Sequence, residues 1–251
     1  YRKIRNTFRY LLGNINDNFE IINFDELNVE NLPELEQLML HKIYVLNSNF
    51  KKYFSNYDFH NLYKELLNFC TVDLSAFYFD IRKDNLYCDS IDSKKRKSTI
   101  LTLNIILNAL LKWFAPILSF TTEEIFRLLF KNQKSIHLEK FIEFPDKFKN
   151  VKLSEKWVEL INIRNICNIS IEEKRASKEI GSSLEADLKI QLSQKLKELT
   201  KNTDFSELCI TSKAEVAYKD DIETTAITTK AKGSKCPVCW KINDGPCPRH
   251  S

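Results

Sequence analysis

Cys236, Cys239, Cys247 and His250 lie close together near the C-terminal end, in the pattern C-x-x-C, seven residues, C-x-x-H. Two such knuckles can supply four soft ligands to one tetrahedral ion, which strongly constrains how this end can fold. The stretch leading into them is short, charged and polar, and it cannot bury enough apolar surface to fold unaided. Metal ligation would supply the missing free energy, on the order of 10 kcal/mol in zinc-finger peptides. The spacing therefore predicts a structural Zn2+ site, with all four positions filled by protein and none open for water or substrate. Two other readings compete. Cys236 and Cys239 could be a redox pair, although no βαβ pattern surrounds them, or the segment could be disordered with incidental cysteines. Because it sits so near the end, His250 is the ligand most free to fray.

Composition sets the class of the rest. The chain has 251 residues, 43% of them hydrophobic and 12% aromatic, enough for a sizeable core and more than one domain. With only 4 Gly and 6 Pro there is little material for tight β-turns, which favours helices. No apolar run approaches the roughly 20 residues of a membrane span, and residues 1–3 open inside a charged pattern with no apolar signal core. The expectation is a soluble, cytoplasmic monomer that does not engage membranes. Seven cysteines, an odd number spread through the chain, do not form a secreted disulfide framework. Cys70, Cys88, Cys167 and Cys209 stand among apolar neighbours and read as small core fillers. A formal net charge of +4 is mild, but the cations cluster at Arg2, Lys3, Arg5 and Arg9, at 94–97 and beyond Lys230. Local basic patches on a near-neutral body suit RNA, although most lysine runs are merely solvated surface and the charge alone does not decide it.

The helical period predicts one helix over 1–12, with Ile4, Phe8, Leu11 and Leu12 inward and Arg2, Arg5 and Arg9 outward. A second begins with Pro33 in its first turn. A third spans 59–78 and breaks at Lys83, Asp84 and Asn85. A fourth follows Ser93 and runs to Phe114, where Pro116 interrupts it. Residues 119–124 then offer a hydroxyl cap with acids behind it, opening a helix to Phe130. A long helix over 153–178 is stopped by the Gly181-Ser182-Ser183 turn. Short β-leaning runs follow at 188–192, 207–211, 216–218 and 224–228, with a helix near 194–200. The expected architecture is mainly α: an antiparallel helical bundle over 1–150, then a long helix with a small α+β unit over 151–233. A zinc-binding element over 234–251 completes it. Phosphate loops, nucleophile elbows and paired His–carboxylate motifs are absent from the sequence. His41, His60 and His137 are isolated and read as structural.

Several stretches, in order, resemble bacterial-type isoleucyl-tRNA synthetases of class I. Residues 1–14 (YRKIRNTFRYLLGN) resemble the helix that opens the anticodon-binding domain of that family. Residues 73–81 (DLSAFYFDI) with 83–87 (KDNLY), and residues 113–125 (WFAPILSFTTEEI), resemble the body of the same domain. Residues 178–186 (KEIGSSLEA) are similar to its C-terminal junction, and the Cys-x-x-Cys-Trp segment is similar to its terminal zinc element. Here the knuckles stand closer together than is usual in the family. His250 also replaces a commoner cysteine, and Phe126 a commoner tryptophan.

The resemblance implies recognition of the anticodon stem-loop of isoleucine tRNA by an ATP-dependent ligase. It also implies that the ATP-binding and editing parts lie upstream and are not in this sequence. No catalytic residue is expected here.

RNA chemistry nominates the contacts. Arg2, Lys3, Arg5 and Arg9 would track phosphates along one helix, with Asn6 offering an amide to a base edge. Trp240, fixed by its cysteine neighbour, would stack a base or else pack as a lid. Lys112 could reach RNA beside a core Trp113. Lys178, Ser182 and Ser183 could hold a phosphate or simply end a helix. The contrasting reading is a stand-alone helical module whose zinc knuckle docks another protein.

Overall fold

The computed structural model describes residues 1–15, 19–131 and 134–250. They divide into two compact units, Tyr1–Val151 and Lys152–Ser251. The first is helical: α1 (Arg2–Ile15), α2 (Glu34–Ser55), α3 (Phe59–Asn68), α4 (Phe79–Cys88), α5 (Lys94–Phe114) and α6 (Ser119–Leu129). Helix α5 is the hub, packed against by α1, α2, α4 and α6. It is buried almost all round, from Leu103 through Leu107 and Leu111 to Phe114, as a central helix must be. Ser93 caps it by accepting from the Arg96 N–H. Trp113 is fully buried, and its indole N–H donates to Asn47 at 3.0 Å, which satisfies the one polar atom in that ring.

Three sequence expectations give way. Lys83, Asp84 and Asn85 do not break a helix; they lie inside α4. From Phe59 to Cys88 the chain is continuously helical, because α3 passes into a π-helical segment, Phe69–Tyr78, and that into α4. Burial explains the persistence. Ile81, Arg82 and Leu86 are all buried, so tertiary packing overrides the polar local sequence. Nor does α6 open on a hydroxyl cap: Ser119 is already helical, and its Oγ donates back to the Ala115 carbonyl at 3.2 Å. In the second unit, 207–211 is not a strand. Asp204 accepts from the Ser206 and Glu207 N–H groups and starts a helical turn there instead. Of the four presumed core cysteines, Cys70, Cys167 and Cys209 are buried and Cys88 is only half-buried.

The π-helical segment and α4 are held by a buried polar cluster. Glu36 on α2 takes both sides of the Arg82 guanidinium, at 2.6 Å each. Tyr78 and Thr99 donate to the same carboxylate at 3.1 Å, and Glu36 itself is fully buried. Burial, with the Glu36 charge beside it, pushes the Tyr78 hydroxyl well above its ordinary range, so it stays a donor. Lys42 on α2 pairs with Asp73 of the π segment at 2.7 Å.

The second unit begins with α7 (Val151–Ala176). Strands β1 (Ala186–Ser193), β2 (Lys213–Lys219) and β3 (Thr225–Lys230) form a sheet in the order β2-β1-β3. β1 runs parallel to β2 and antiparallel to β3, and two short helices, α8 (Lys197–Thr200) and α9 (Phe205–Leu208), make the crossover. Ala186, Leu188, Ile190 and Leu192 alternate inward along β1. Thr228 of β3 bonds Ser170 of α7 at 2.9 Å, and Arg164 of α7 donates to the Leu208 carbonyl at 2.9 Å. A two-stranded ribbon, β4 (Ser234–Lys235) with β5 (Ile242–Asn243), carries the cysteine knuckle. Among the described residues no helix is long and apolar enough to cross a membrane.

Removing one partner of a buried, hydrogen-bonded pair leaves an uncompensated charge, at a cost of about 3–5 kcal/mol. Arg82→Ala should therefore lower the unfolding free energy of the first unit by about 3 kcal/mol or more. Urea denaturation checks this, and a loss below about 1 kcal/mol would show that the cluster is not what holds the π segment.

Candidate metal centre and nucleic-acid interface

The knuckle is built from its backbone outward. Cys236 N–H donates to the Lys241 carbonyl at 2.9 Å and Trp240 N–H to the Cys236 carbonyl at 3.0 Å, closing a tight turn around the first cysteine pair. Closure needs Gly233 at φ +120°: a side chain there would meet the Asn243 carbonyl oxygen at 2.1 Å. A second turn, His250 N–H to the Cys247 carbonyl at 3.1 Å, brings the other two donors across.

The four predicted ligands do converge. Their donor atoms all lie within 4.8 Å of one another. His250 Nδ1 is 3.5 Å from both Cys236 Sγ and Cys247 Sγ, and Cys239 Sγ is 3.8 Å from Cys247 Sγ. A tetrahedral ion with about 2.3 Å bonds to sulfur and about 2.1 Å to nitrogen demands edges of about 3.8 and about 3.6 Å. These three separations match such edges, and the remaining pairs lie within 4.8 Å, close enough for the four donors to share one ion. Cys236 is also poised as a thiolate: the N–H groups of Cys239 and Val238, and then His250, hold its pKa down to about 6.

One hydroxyl fixes the ribbon to the sheet unit. Ser212 Oγ accepts from the Ile242 N–H at 2.7 Å and donates to the Leu184 carbonyl at 2.5 Å. The knuckle is thus tied to the turn at 182–184, a link that no local sequence pattern announces.

Trp240 leaves the knuckle in the left-handed region, at φ +64°, and 59% of it is exposed. It is not packed away as a lid. The Lys235 ammonium lies over its ring, 5.3 Å from the centroid. Lys178 also takes a left-handed conformation, at φ +60°. It closes α7 with a Schellman pair, Glu179 N–H to the Lys174 carbonyl and Lys178 N–H to the Arg175 carbonyl. This lysine, not the Gly181-Ser182-Ser183 turn, stops the helix. Its side chain lines a cleft of about 480 Å³ with Arg175 and Gly181. Ser182 and Ser183 are half-buried beside it, and the Gly181 N–H, an amide a phosphate would want, is taken by Glu185 at 2.9 Å.

In the first unit, Arg2, Lys3, Arg5, Asn6 and Arg9 are all exposed on α1. They divide into two groups. Lys3 and Asn6 line a cleft of about 510 Å³ between α1 and the π segment, floored by Tyr10 stacked on Phe79 at 4.2 Å. Arg2, Arg5 and Arg9 are not among its lining residues. Lys112 is half-buried and faces Glu139 at 3.6 Å. His41 is structural, buried and accepting the Asn150 N–H at 3.0 Å, with burial the main cause lowering its pKa.

Stripping metal with a chelator should unfold residues 234–250 while helicity persists. Amide hydrogen exchange at Cys236 and Trp240 should then rise to loop rates with α5 unchanged. Protection that survives chelation would show that the knuckle folds without an ion.

Residues 36–192 match the family model described as the anticodon-binding domain of tRNA ligase. Over all 251 of its residues the chain is 66% identical to an isoleucine–tRNA ligase of Pelagibacter ubique (strain HTCC1062), of which it covers 28%. It is 37% identical over 254 aligned residues to that of Agrobacterium fabrum (strain C58), and 38% identical over 255 to that of Bradyrhizobium diazoefficiens. Those alignments cover 96% and 97% of this chain, and 26% and 25% of the relatives. The chain therefore spans about a quarter of the length of the curated relatives it matches. With its matched segment covering more than half of the sequence, it belongs to the family of anticodon-binding domains of tRNA ligases.

Proposed function

We propose that this chain recognises the anticodon stem-loop of isoleucine tRNA for an isoleucine–tRNA ligase, whose ATP-dependent aminoacylation is carried out by other parts of the enzyme. The observation that carries the reading is Trp240, exposed on a knuckle whose four donors lie within 4.8 Å of one another, in a chain 66% identical to such a ligase. Three thiolates and an imidazole at those distances suit Zn2+, held by Cys236, Cys239, Cys247 and His250. With its shell full, the ion would be structural, supplying folding free energy and no catalysis.

The chemistry divides among the residues. Anticodon bases splay out of the loop and are read by stacking and by edge contacts, while cations hold the backbone. Trp240 stacks a base at small entropic cost, because its backbone is already fixed. Arg2, Arg5 and Arg9 take phosphates along α1, and Asn6 with Lys3 meets a nucleotide at the mouth of the α1 cleft. Lys178 holds the backbone in the second unit, with the Ser182 and Ser183 hydroxyls as secondary contacts. Lys112 contributes only if RNA displaces Glu139. In this reading 1–150 forms the anticodon-binding bundle, 151–233 the junction unit and 234–251 the zinc element. The protein works as a cytoplasmic monomer.

A binding titration tests this. The intact protein should bind isoleucine tRNA more tightly than the same tRNA with an altered anticodon, and Trp240→Ala should lose about 5- to 150-fold in affinity. Equal affinity for the two tRNAs would leave only charge attraction. No binding by zinc-loaded protein would favour a protein-docking module.

Arg5→Glu should weaken binding and flatten the salt dependence, since each lost phosphate contact removes about 0.7 from the slope on single strands. An unaltered slope would take α1 out of the interface.

A further inference from the structure

Lys235 immediately precedes the first cysteine of the knuckle and has no ligand role there. The β4–β5 ribbon pairs it with Ile242, so its backbone is fixed on one side by the sheet register and on the other by Cys236. Its ammonium lies over the Trp240 ring at 5.3 Å from the centroid, within the roughly 6 Å reach of a cation–π contact. Trp240 is nonetheless 59% exposed, and its own N–H is tied to the Cys236 carbonyl at 3.0 Å. The indole is therefore held at its backbone, covered by a cation on one face and still broadly open to solvent. Among the described residues its ammonium is placed on the ring.

We propose that Lys235 and Trp240 form a two-sided clamp for one unstacked nucleotide of single-stranded RNA. The base stacks on the indole face away from Lys235. The ammonium keeps the ring from turning and pairs with a phosphate flanking that base, around the ring edge. This deepens, and rests on, the reading of Trp240 as a base-stacking residue. Two features support RNA as the occupant. A cation and an aromatic side by side match the backbone-and-base pairing by which single strands are held. The left-handed backbone at Trp240, set by the turn that closes on the Cys236 carbonyl, also fixes where the ring leaves the knuckle, so a bound base has little left to order.

The test uses the intact, zinc-loaded protein with isoleucine tRNA, measuring affinity across a salt series. Lys235→Met keeps the length and apolar stem and removes the charge, and Lys235→Arg restores the charge. The clamp predicts that Lys235→Met weakens binding at least about fivefold and lowers the salt slope by about 0.7. Lys235→Arg should retain both. In the double variant with Trp240→Ala, the loss should be smaller than the product of the single losses, because the two residues act on one nucleotide. If Trp240→Ala weakens binding and Lys235→Met changes neither affinity nor slope, the clamp is overturned and the stacking role of Trp240 stands. A Lys235→Met loss that multiplies independently with that of Trp240→Ala would make Lys235 a separate phosphate contact and overturn the clamp. No loss with Trp240→Ala would overturn the clamp together with the stacking role beneath it. Zinc content, equal across all variants, excludes unfolding of the knuckle as the cause.

Discussion

A single carboxylate organises the helical unit. Glu36 is fully buried and receives Arg82, Tyr78 and Thr99, which come from α4, the π-helical segment and α5. A lone carboxylate in that position would be costly, so the fold is committed to all of its partners at once. This commitment makes the unit specific. α2, the π segment and α5 can approach in other registers only by stranding a charge or a hydroxyl in the core. Apolar burial around α5 supplies bulk stability, and the polar cluster selects which packing receives it.

The knuckle solves the same problem by different means. It has hardly any apolar core of its own, since Val238 and Trp240 are both exposed, and it relies on backbone hydrogen bonds and on donors spaced for an ion. Rigidity gained in this way leaves side chains between the four donors, Val238 and Trp240 among them, exposed to solvent. The large unit thus presents an extended helical surface, and the small one an exposed aromatic on a backbone held by hydrogen bonds.

Much of this was legible in the sequence, for physical reasons that differ by element. α1, α2 and α5 show because their apolar spacing is long and regular, and because Ser93 and Pro33 mark starts. The Cys/His set shows because ligand spacing is a local property. Lys83 to Asn85 misled because three polar residues look like a break, whereas the Arg82–Glu36 pair, formed across 46 residues of chain, keeps the helix intact. Residues 207–211 misled because the cap that decides them, Asp204, precedes an apolar run that reads as β. Lys235 and Ser212 could not be singled out. Each acts on a group that only the folded ribbon brings near, at Trp240 and at Ile242.

The π-helical segment, Phe69–Tyr78, carries a further consequence. Its turns are wider than those of an α-helix, as in the bond from the Phe79 N–H to the Leu74 carbonyl, so it sets the angular phase with which α4 emerges. Tightening one wide turn to α geometry with every residue kept would rotate everything downstream by about 100°. Arg82 would then point away from Glu36, and the Tyr10–Phe79 stack beneath the α1 cleft would come apart with it. The width of these turns is therefore as constrained as residue identity: at this chain length, the Arg82–Glu36 pair and the Tyr10–Phe79 stack both require the π geometry to be kept.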